Sequence, residues 1–302
     1  MANSITSDLT ISTAISVLQN MLAPLSKFTL DITSDVVGRQ ASVKVPVIDT
    51  DDGARLFNAT TGYGTTADTD VSTITVDIAE HIKPFHLNDN DMNKSPLSLQ
   101  SYARQNANEF GRYLQKLLYT AIDTKLLASG GTATDKGSIP FANQITVDDD
   151  AVAVANIKAL AGKLDQAGAP MNRQLLLGGQ AVNNLLPSTI ETFGNSVVES
   201  GRFNQLYGME ISQTNAHGTL SAGDIHSFAC PSDAIVLVNR MPDTSGSATL
   251  EEYTPFTIDG VGIQCAYRRY YDASNGTHYG AFTTMFGCQV AKGSQVMVLT
   301  QS

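Results

Sequence analysis

The sequence predicts an α+β fold, and three features carry that prediction. Val43, Val45 and Val47 alternate with Ser42, Lys44 and Pro46, and Ile74, Val76 and Ile78 alternate with Thr73, Thr75 and Asp77. A period of two is that of a half-buried strand. An unusually long amphipathic stripe follows, formed by Tyr102, Ala103, Phe110, Tyr113, Leu114, Leu117, Ala121 and Ile122 at helical steps of three and four. The tail holds strand-like runs at 262–271, 279–290 and 295–299, separated by Gly, Asn and Asp turns as in a meander. The second half is therefore expected to combine helices with one antiparallel sheet in a layer pair.

Taken in order, the chain opens with a polar tip and a short helix, Ile11 to Leu22, whose apolar positions Ile11, Ile15, Leu18 and Leu22 keep helical spacing. Pro24 is expected to stop it, and Phe28, Leu30 and Ile32 then alternate as a first strand. Between the two alternating runs, Asp49 to Ser72 is rich in Asp, Thr, Ala and Gly and has almost nothing to bury. Long coreless connections are usually functional or disordered. A long hairpin that projects off the body must find its burial partner on another molecule, which points to assembly.

The long helix is expected to start at Ser95-Pro96, where Ser caps free amides and Pro suits the first helical position, and to end at Gly130-Gly131. Ser95 to Ser129 would span on the order of 50 Å at 1.5 Å per residue. Gly130 to Asp148 is the best candidate boundary between two halves of the chain. Asp148, Asp149 and Asp150 read as an N-cap with favourable charge for a helix through Val154, Ile157, Ala161 and Leu164, which Gly168 and Pro170 end. Gln174 to Leu177 is a short buried strand, and Gly178-Gly179 turns the chain into a short helix with Leu185 and Leu186 at its end. A β run from Gly208 to Thr214-Asn215 and an apolar strand from Ala234 to Val238 follow.

The chain's 302 residues, 42% of them hydrophobic, suffice for a sizeable core or two joined subdomains. A formal net charge of -10 argues against tight binding to a phosphate backbone, because no surplus of Lys and Arg is there to displace counterions. It leaves room for a protein that encloses nucleic acid without gripping it. Only 16% of residues are charged, so the chain has few gatekeepers against self-association. Cys230, Cys265 and Cys288 share no metal-ligand spacing and read as buried free thiols. The N-terminal region has no basic segment, and Leu9 to Leu25 is broken by polar residues and Pro24, so it reads as neither signal peptide nor membrane span.

Motifs for chemistry are sparse. Gly62-Tyr-Gly64 and Gly260-Val-Gly262 lack the strand-to-helix context of a phosphate loop, and no Gly-x-Ser-x-Gly elbow occurs. His81 and His86 near Asp89 and Asp91 match no metal-ligand spacing and read as solvated loop residues. Arg268-Arg269 with Tyr267, Tyr270 and Tyr271 is a basic-aromatic cluster, but strand alternation puts the two arginines on opposite faces. A structural role, with one Arg salt-bridged or stacked on Tyr, is expected. No catalytic residue, cofactor or metal is expected, and the chain is read as a non-enzyme.

This order of parts resembles that of tailed-bacteriophage major capsid (coat) proteins of the Hong Kong 97 type. Local patterns are similar too: Gly168-Ala-Pro170 before Gln174 to Leu186; Gly208-Met-Glu-Ile211 leading to Thr214-Asn215; Ser227-Phe-Ala229 through Asp233-Ala-Ile235; the Arg269-Tyr-Tyr-Asp272 turn; and a closing strand with Gly287. The resemblance runs from about residue 9 to the end. It implies an N-terminal arm at 1–34, an extended β-hairpin (E-loop) at 35–90, a spine helix with part of a peripheral domain at 91–148, a mainly axial domain at 149–260, and C-terminal strands at 261–302 returning to the axial and peripheral domains.

The function implied is self-assembly, as pentamers and hexamers, into an icosahedral head shell around double-stranded DNA. A separate scaffolding protein, a portal protein and a decoration protein are the implied partners, with the virion as location. Candidate inter-subunit contacts are Arg39, Lys44, Arg55, Phe57 and Tyr63 in the hairpin and Arg104, Glu109 and Arg112 on the helix. Asp49 to Ser72 contains no Lys, so no isopeptide cross-link through the hairpin tip is expected. The rival reading is an encapsulin-like nanocompartment, which shares the fold and encloses cargo enzyme; another virion part and a hydrolase stand further off.

Overall fold

A computed structural model describes residues 2–32, 41–48, 71–88, 99–147, 152–178, 181–182, 185, 205–214, 223–242 and 252–302. Among the described residues the long α-helices are α1 (Ala2–Phe28), α2 (Leu99–Asp123) and α3 (Val154–Gln166). The strands are β1 (Thr29–Asp31), β2 (Ser42–Ile48), β3 (Val71–Asp77), β4 (Ala79–Asn88), β5 (Gln144–Val147), β6 (Arg173–Gly178) and β7 (Gln205–Leu206). They continue with β8 (Met209–Thr214), β9 (Ile225–Pro231), β10 (Ile235–Arg240), β11 (Glu252–Thr257), β12 (Gln264–Asp272), β13 (Thr277–Val290) and β14 (Met297–Gln301).

The α+β expectation is met, but the sheet arrangement differs from the one expected. Among the described residues two six-stranded sheets form instead of one antiparallel layer. The first runs β1-β10-β13-β12-β11, with β4 on β13 as well; the second runs β5-β14-β9-β6-β8-β7. Each contains parallel pairs: β1 with β10, β5 with β14, and β6 with β8. Of the expected meander, β12 and β13 pair, with β11 added beyond β12, but β14 leaves for the second sheet. Strands from both sides of the Gly130–Asp148 junction share the first sheet, since β4 pairs with β13 along Ala79 to Asn88.

β13 is long because it serves three partners. β12 pairs with Thr277 to Thr283 and β10 with Met285 to Val290, end to end along one edge, while β4 pairs with Thr277 to Phe286 along the other. Where β10 gives way to β12, the fully buried Asn239 fills the joint. Its Oδ1 accepts from the Gln264 N–H at 2.5 Å, and its Nδ2 donates to Thr284 Oγ1 at 2.7 Å and to the Met285 carbonyl at 3.0 Å.

α1 is far longer than Ile11 to Leu22 and continues through Pro24 to Phe28, so Phe28 closes a helix instead of opening a strand. An interior proline costs about 3 kcal/mol. Leu18, Leu22, Leu25 and Phe28 keep helical spacing across it and are all buried. Burial of such side chains contributes roughly 1.5–3 kcal/mol each, which outweighs the proline. They pack with Phe110, Leu114, Leu118 and Ile122 of α2 between the first sheet (Phe282, Phe286) and one face of the second (Leu176, Phe228, Val298). Phe28 meets Phe228 edge-on at 5.3 Å.

The expected start of the long helix at Ser95-Pro96 lies outside the described residues. Its end falls at Asp123, short of Gly130, because the chain tightens (Lys125 N–H to Ile122 carbonyl) and Leu126 turns out to bridge Ile139. The 25 residues of α2 span about 37 Å. Its expected stripe is buried at Ala103, Phe110, Leu114, Ala121 and Ile122, whereas Tyr113 stays 44% exposed.

α3 is capped at Ala153, not by the aspartates at 148–150, which lie outside the described residues; Asn156 Oδ1 reaches back to the Ala153 N–H at 3.0 Å. It ends as expected at Gly168, whose φ of +65 suits glycine. Gly168 N–H bonds to the Asp165 carbonyl and Ala169 N–H to the Leu164 carbonyl, a Schellman closure. Ile157, Leu160, Ala161 and Leu164 then bury against Leu175, Leu177, Met209 and Leu299 on the far face of the second sheet.

Candidate assembly surfaces

The two alternating runs pair as predicted. β2 and β3 form an antiparallel two-stranded sheet in the register Ser42↔Asp77 to Ile48↔Val71. Val43, Val45, Val47, Ile74 and Val76 point to one side and are buried, together with Ile78 just beyond β3. Their cover is not another molecule: they pack on Val236, Val238 and Ala291 of the same chain. The root of the hairpin thus lies on the outer face of the first sheet, at its β10 end. Of the coreless connection, Asp49 to Asp70 lies outside the described residues, and its last two residues, Val71 and Ser72, belong to β3.

The candidate contact residues separate accordingly. Arg39, Arg55, Phe57 and Tyr63 lie outside the described residues. Lys44 stands exposed on the solvent side of β2. Arg104, Glu109 and Arg112 are exposed on the side of α2 away from the core. Glu109 also has a partner within the chain, an ion pair with Lys83 of β4. The Lys83 hydrogen bond, assisted by Arg112, holds the Glu109 carboxyl below its ordinary range. The structure brings Glu109 and Arg112 together and keeps Lys44 apart from them, on a different element.

β4 holds a further surface, which none of the candidate contact residues marks. Its odd positions face α2: His81 Nδ1 lies 3.0 Å from the Tyr113 hydroxyl, and the Phe85 ring meets Tyr102, Tyr267 and Phe282. Its even positions face out. Ile82 is 53% exposed, Pro84 is exposed, and His86 lies beside Tyr279, which stacks on Tyr270 at 4.7 Å. This aromatic strip continues the face that the hairpin root covers at its other end. Alternation over 79–88 is the signal for it: His81 and His86 belong to a strand and not to the solvated loop expected of them. They point to opposite sides of a strand. Among the described residues no group of three or more His, Cys, Asp or Glu is placed to hold a metal.

Arg268 and Arg269 diverge as alternation requires. Arg268 forms an ion pair with Glu80 at 3.1 Å, and Arg269 approaches His278 Nδ1 at 3.4 Å. Cys230, Cys265 and Cys288 are free thiols, and burial pushes Cys265 up to about 12. No helix among the described residues is long and apolar enough to cross a membrane.

No protein-family profile matches the chain, and no curated protein matches it in sequence. Solved structures do match in fold. A capsid structure of the cyanophage P-SCSP1u is similar at a TM-score of 0.57 and 13% identity, covering 91% of this chain and 86% of that one. The capsid of a native GTA particle is similar at 0.57 and 15%, covering 93% and 90%. A virus-like particle from Pyrococcus furiosus is similar at 0.57 and 12%, covering 97% and 98%. The chain has the fold of tailed-phage capsid proteins.

Proposed function

We propose that this chain is a major capsid protein that self-assembles into the icosahedral head of a tailed bacteriophage around double-stranded DNA. The observation that carries the reading is the near end-to-end match to capsid subunits, with 91% of this chain and 86% of the cyanophage chain covered. The β2–β3 sheet is read as the root of the E-loop, α2 as the spine helix, the second sheet with α3 as the core of the axial domain, and the first sheet as peripheral. Shell contacts fall to Arg39, Lys44, Arg55, Phe57 and Tyr63 of the hairpin and to Arg104, Glu109 and Arg112 of the helix. Individually weak contacts suffice, because a closed shell multiplies them. A chain with net charge -10 faces DNA without gripping it. Scaffolding, portal and decoration proteins are the proposed partners, and the role is structural.

Electron microscopy of the purified chain, alone and with a scaffold, tests this. Closed shells or capsomer-sized rings are expected, and deletion of Asp51 to Asp70 is expected to leave a folded subunit that closes none. A chain that stays monomeric under every condition would overturn the proposal. The match to the Pyrococcus furiosus virus-like particle favours one second reading, a nanocompartment around protein cargo. Shells from the native source that contain protein and no DNA would decide for it.

A further inference from the structure

A subunit made to crowd against its own copies must avoid joining them through open strand edges, and this fold carries a specific safeguard. Three of its long strands with an unpaired side among the described residues are β2, β4 and β11. Each has one exposed proline near its middle: Pro46, Pro84 and Pro255. They stand opposite Thr73, Ala281 and Ala266 respectively.

Opposite residues in an antiparallel ladder alternate between pairs that exchange two hydrogen bonds and pairs that exchange none. A residue without an N–H belongs to the second kind, so its ring occupies the side away from the paired strand. Each of these prolines therefore removes a central outward donor and sets a ring where an added strand would dock. On β4 the carbonyl of His86, two residues on and facing the same side, is already taken by the Tyr102 hydroxyl at 3.0 Å. Among the described residues, β3 ends the hairpin-root sheet without a proline and stays unguarded over its seven residues, whereas the other strands that end a sheet without one, β1, β5 and β7, are three, four and two residues long. Short strands offer little for a partner to extend.

We infer that Pro46, Pro84 and Pro255 are edge guards: they bar strand addition by a second copy along the open sides of β2, β4 and β11. The inference rests on the self-assembly reading above. Its test compares purified P46T/P84T/P255T with P46K/P84K/P255K, and with P170T as an exposed proline outside any strand. Threonine restores the N–H on a residue that favours strands, whereas lysine restores it with a charge that itself blunts an edge.

A roughly tenfold rise in sedimentable, thioflavin-positive fibrous protein is expected for the threonine triple alone, since each regained backbone hydrogen bond adds to the affinity of an edge. The single variant P84T, read the same way, covers the case in which the triple does not fold. No rise in either threonine variant would overturn the inference. An equal rise with lysine would overturn it too, because that pattern reports misfolding rather than edge pairing. Shell closure by the unmodified chain is scored separately by microscopy, so failure of the capsid reading and failure of the guards are distinguishable.

Discussion

The carbonyl oxygen of Asp77 lies 2.2 Å from where a Cβ on Gly287 would stand. The two residues come from β3 and β13, and this approach is what seats the hairpin root on the first sheet. Backbone, not a movable side chain, occupies the space. Gly287→Ala is therefore expected to lift β3 off the sheet and destabilise the fold by about 1–3 kcal/mol, the usual cost of overpacking. Gly280→Ala makes a useful comparison. Its Cβ would meet the Phe85 ring at 2.5 Å, and a ring can shift where a carbonyl cannot. Urea midpoints should fall for both and further for Gly287→Ala. An unchanged midpoint for Gly287→Ala would disprove the seating.

Asn239 joins three strands at a point where no ladder hydrogen bond is available. Asn239→Ala leaves the part-buried Gln264 N–H without its acceptor. A buried polar group left unpaired costs about 1–3 kcal/mol. Hydrogen exchange at the Gln264 amide should accelerate in the variant by more than global destabilisation explains. Retained protection there would mean that another acceptor moves in.

Legibility from sequence divided along physical lines. Local periodicity marked β2, β3, α2, α3 and β6 because their burial follows from spacing alone. The Gly168 closure was equally visible, since a left-handed residue after an amphipathic run needs no tertiary partner. The true length of α1 was hidden: Pro24 forbids continuation locally, and only the burial of Leu25 and Phe28 against distant residues reverses that. The joining of β13 to three strands was hidden for the same reason, as pairing between Ala79–Asn88 and Thr277–Phe286 leaves no trace in either segment. Of the candidate contacts, Lys44, Arg104, Glu109 and Arg112 could be placed on exposed faces, and the Lys83 partner of Glu109 came only with the structure.

Arg173 is almost wholly buried at the end of α3, where it closes the connection into β6. Its Nη1 pairs with Asp165 at 2.5 Å, Nη2 donates to the Ala169 carbonyl at 2.6 Å, and Nε donates to the Pro170 carbonyl at 3.0 Å. A lysine has one ammonium point and cannot serve three acceptors in a fixed fork. Arg173→Lys should lower the urea midpoint clearly, by about 1–3 kcal/mol for the carbonyls left unserved. Asp165→Asn should matter much less, because that carboxylate is 63% exposed and exposed ion pairs contribute about 0–1 kcal/mol. Equal losses for the two would show that the ion pair, not the carbonyl cradle, holds the turn.

His81 gives the fold a pH dependence with a definite sign. It sits between β4 and α2, its Nδ1 at the Tyr113 hydroxyl and its ring edge-on to Phe286, with the Lys83–Glu109 pair on the neighbouring position of the same face. Burial holds its imidazole below the ordinary histidine range, against a smaller opposing effect of a hydrogen bond to the Phe286 backbone. Between the lowered folded value and the ordinary unfolded one, the unfolded chain binds more protons, so stability rises with pH across that window. Acidification from neutral should therefore begin to weaken the β4–α2 contact as pH falls through 6.5 and continue down to the folded value. His81→Gln, which keeps a polar group toward Tyr113 without a titrating ring, should flatten the slope of stability against pH in that window. Urea titrations at closely spaced pH values measure it, and an unchanged slope in the variant would assign the dependence to other groups.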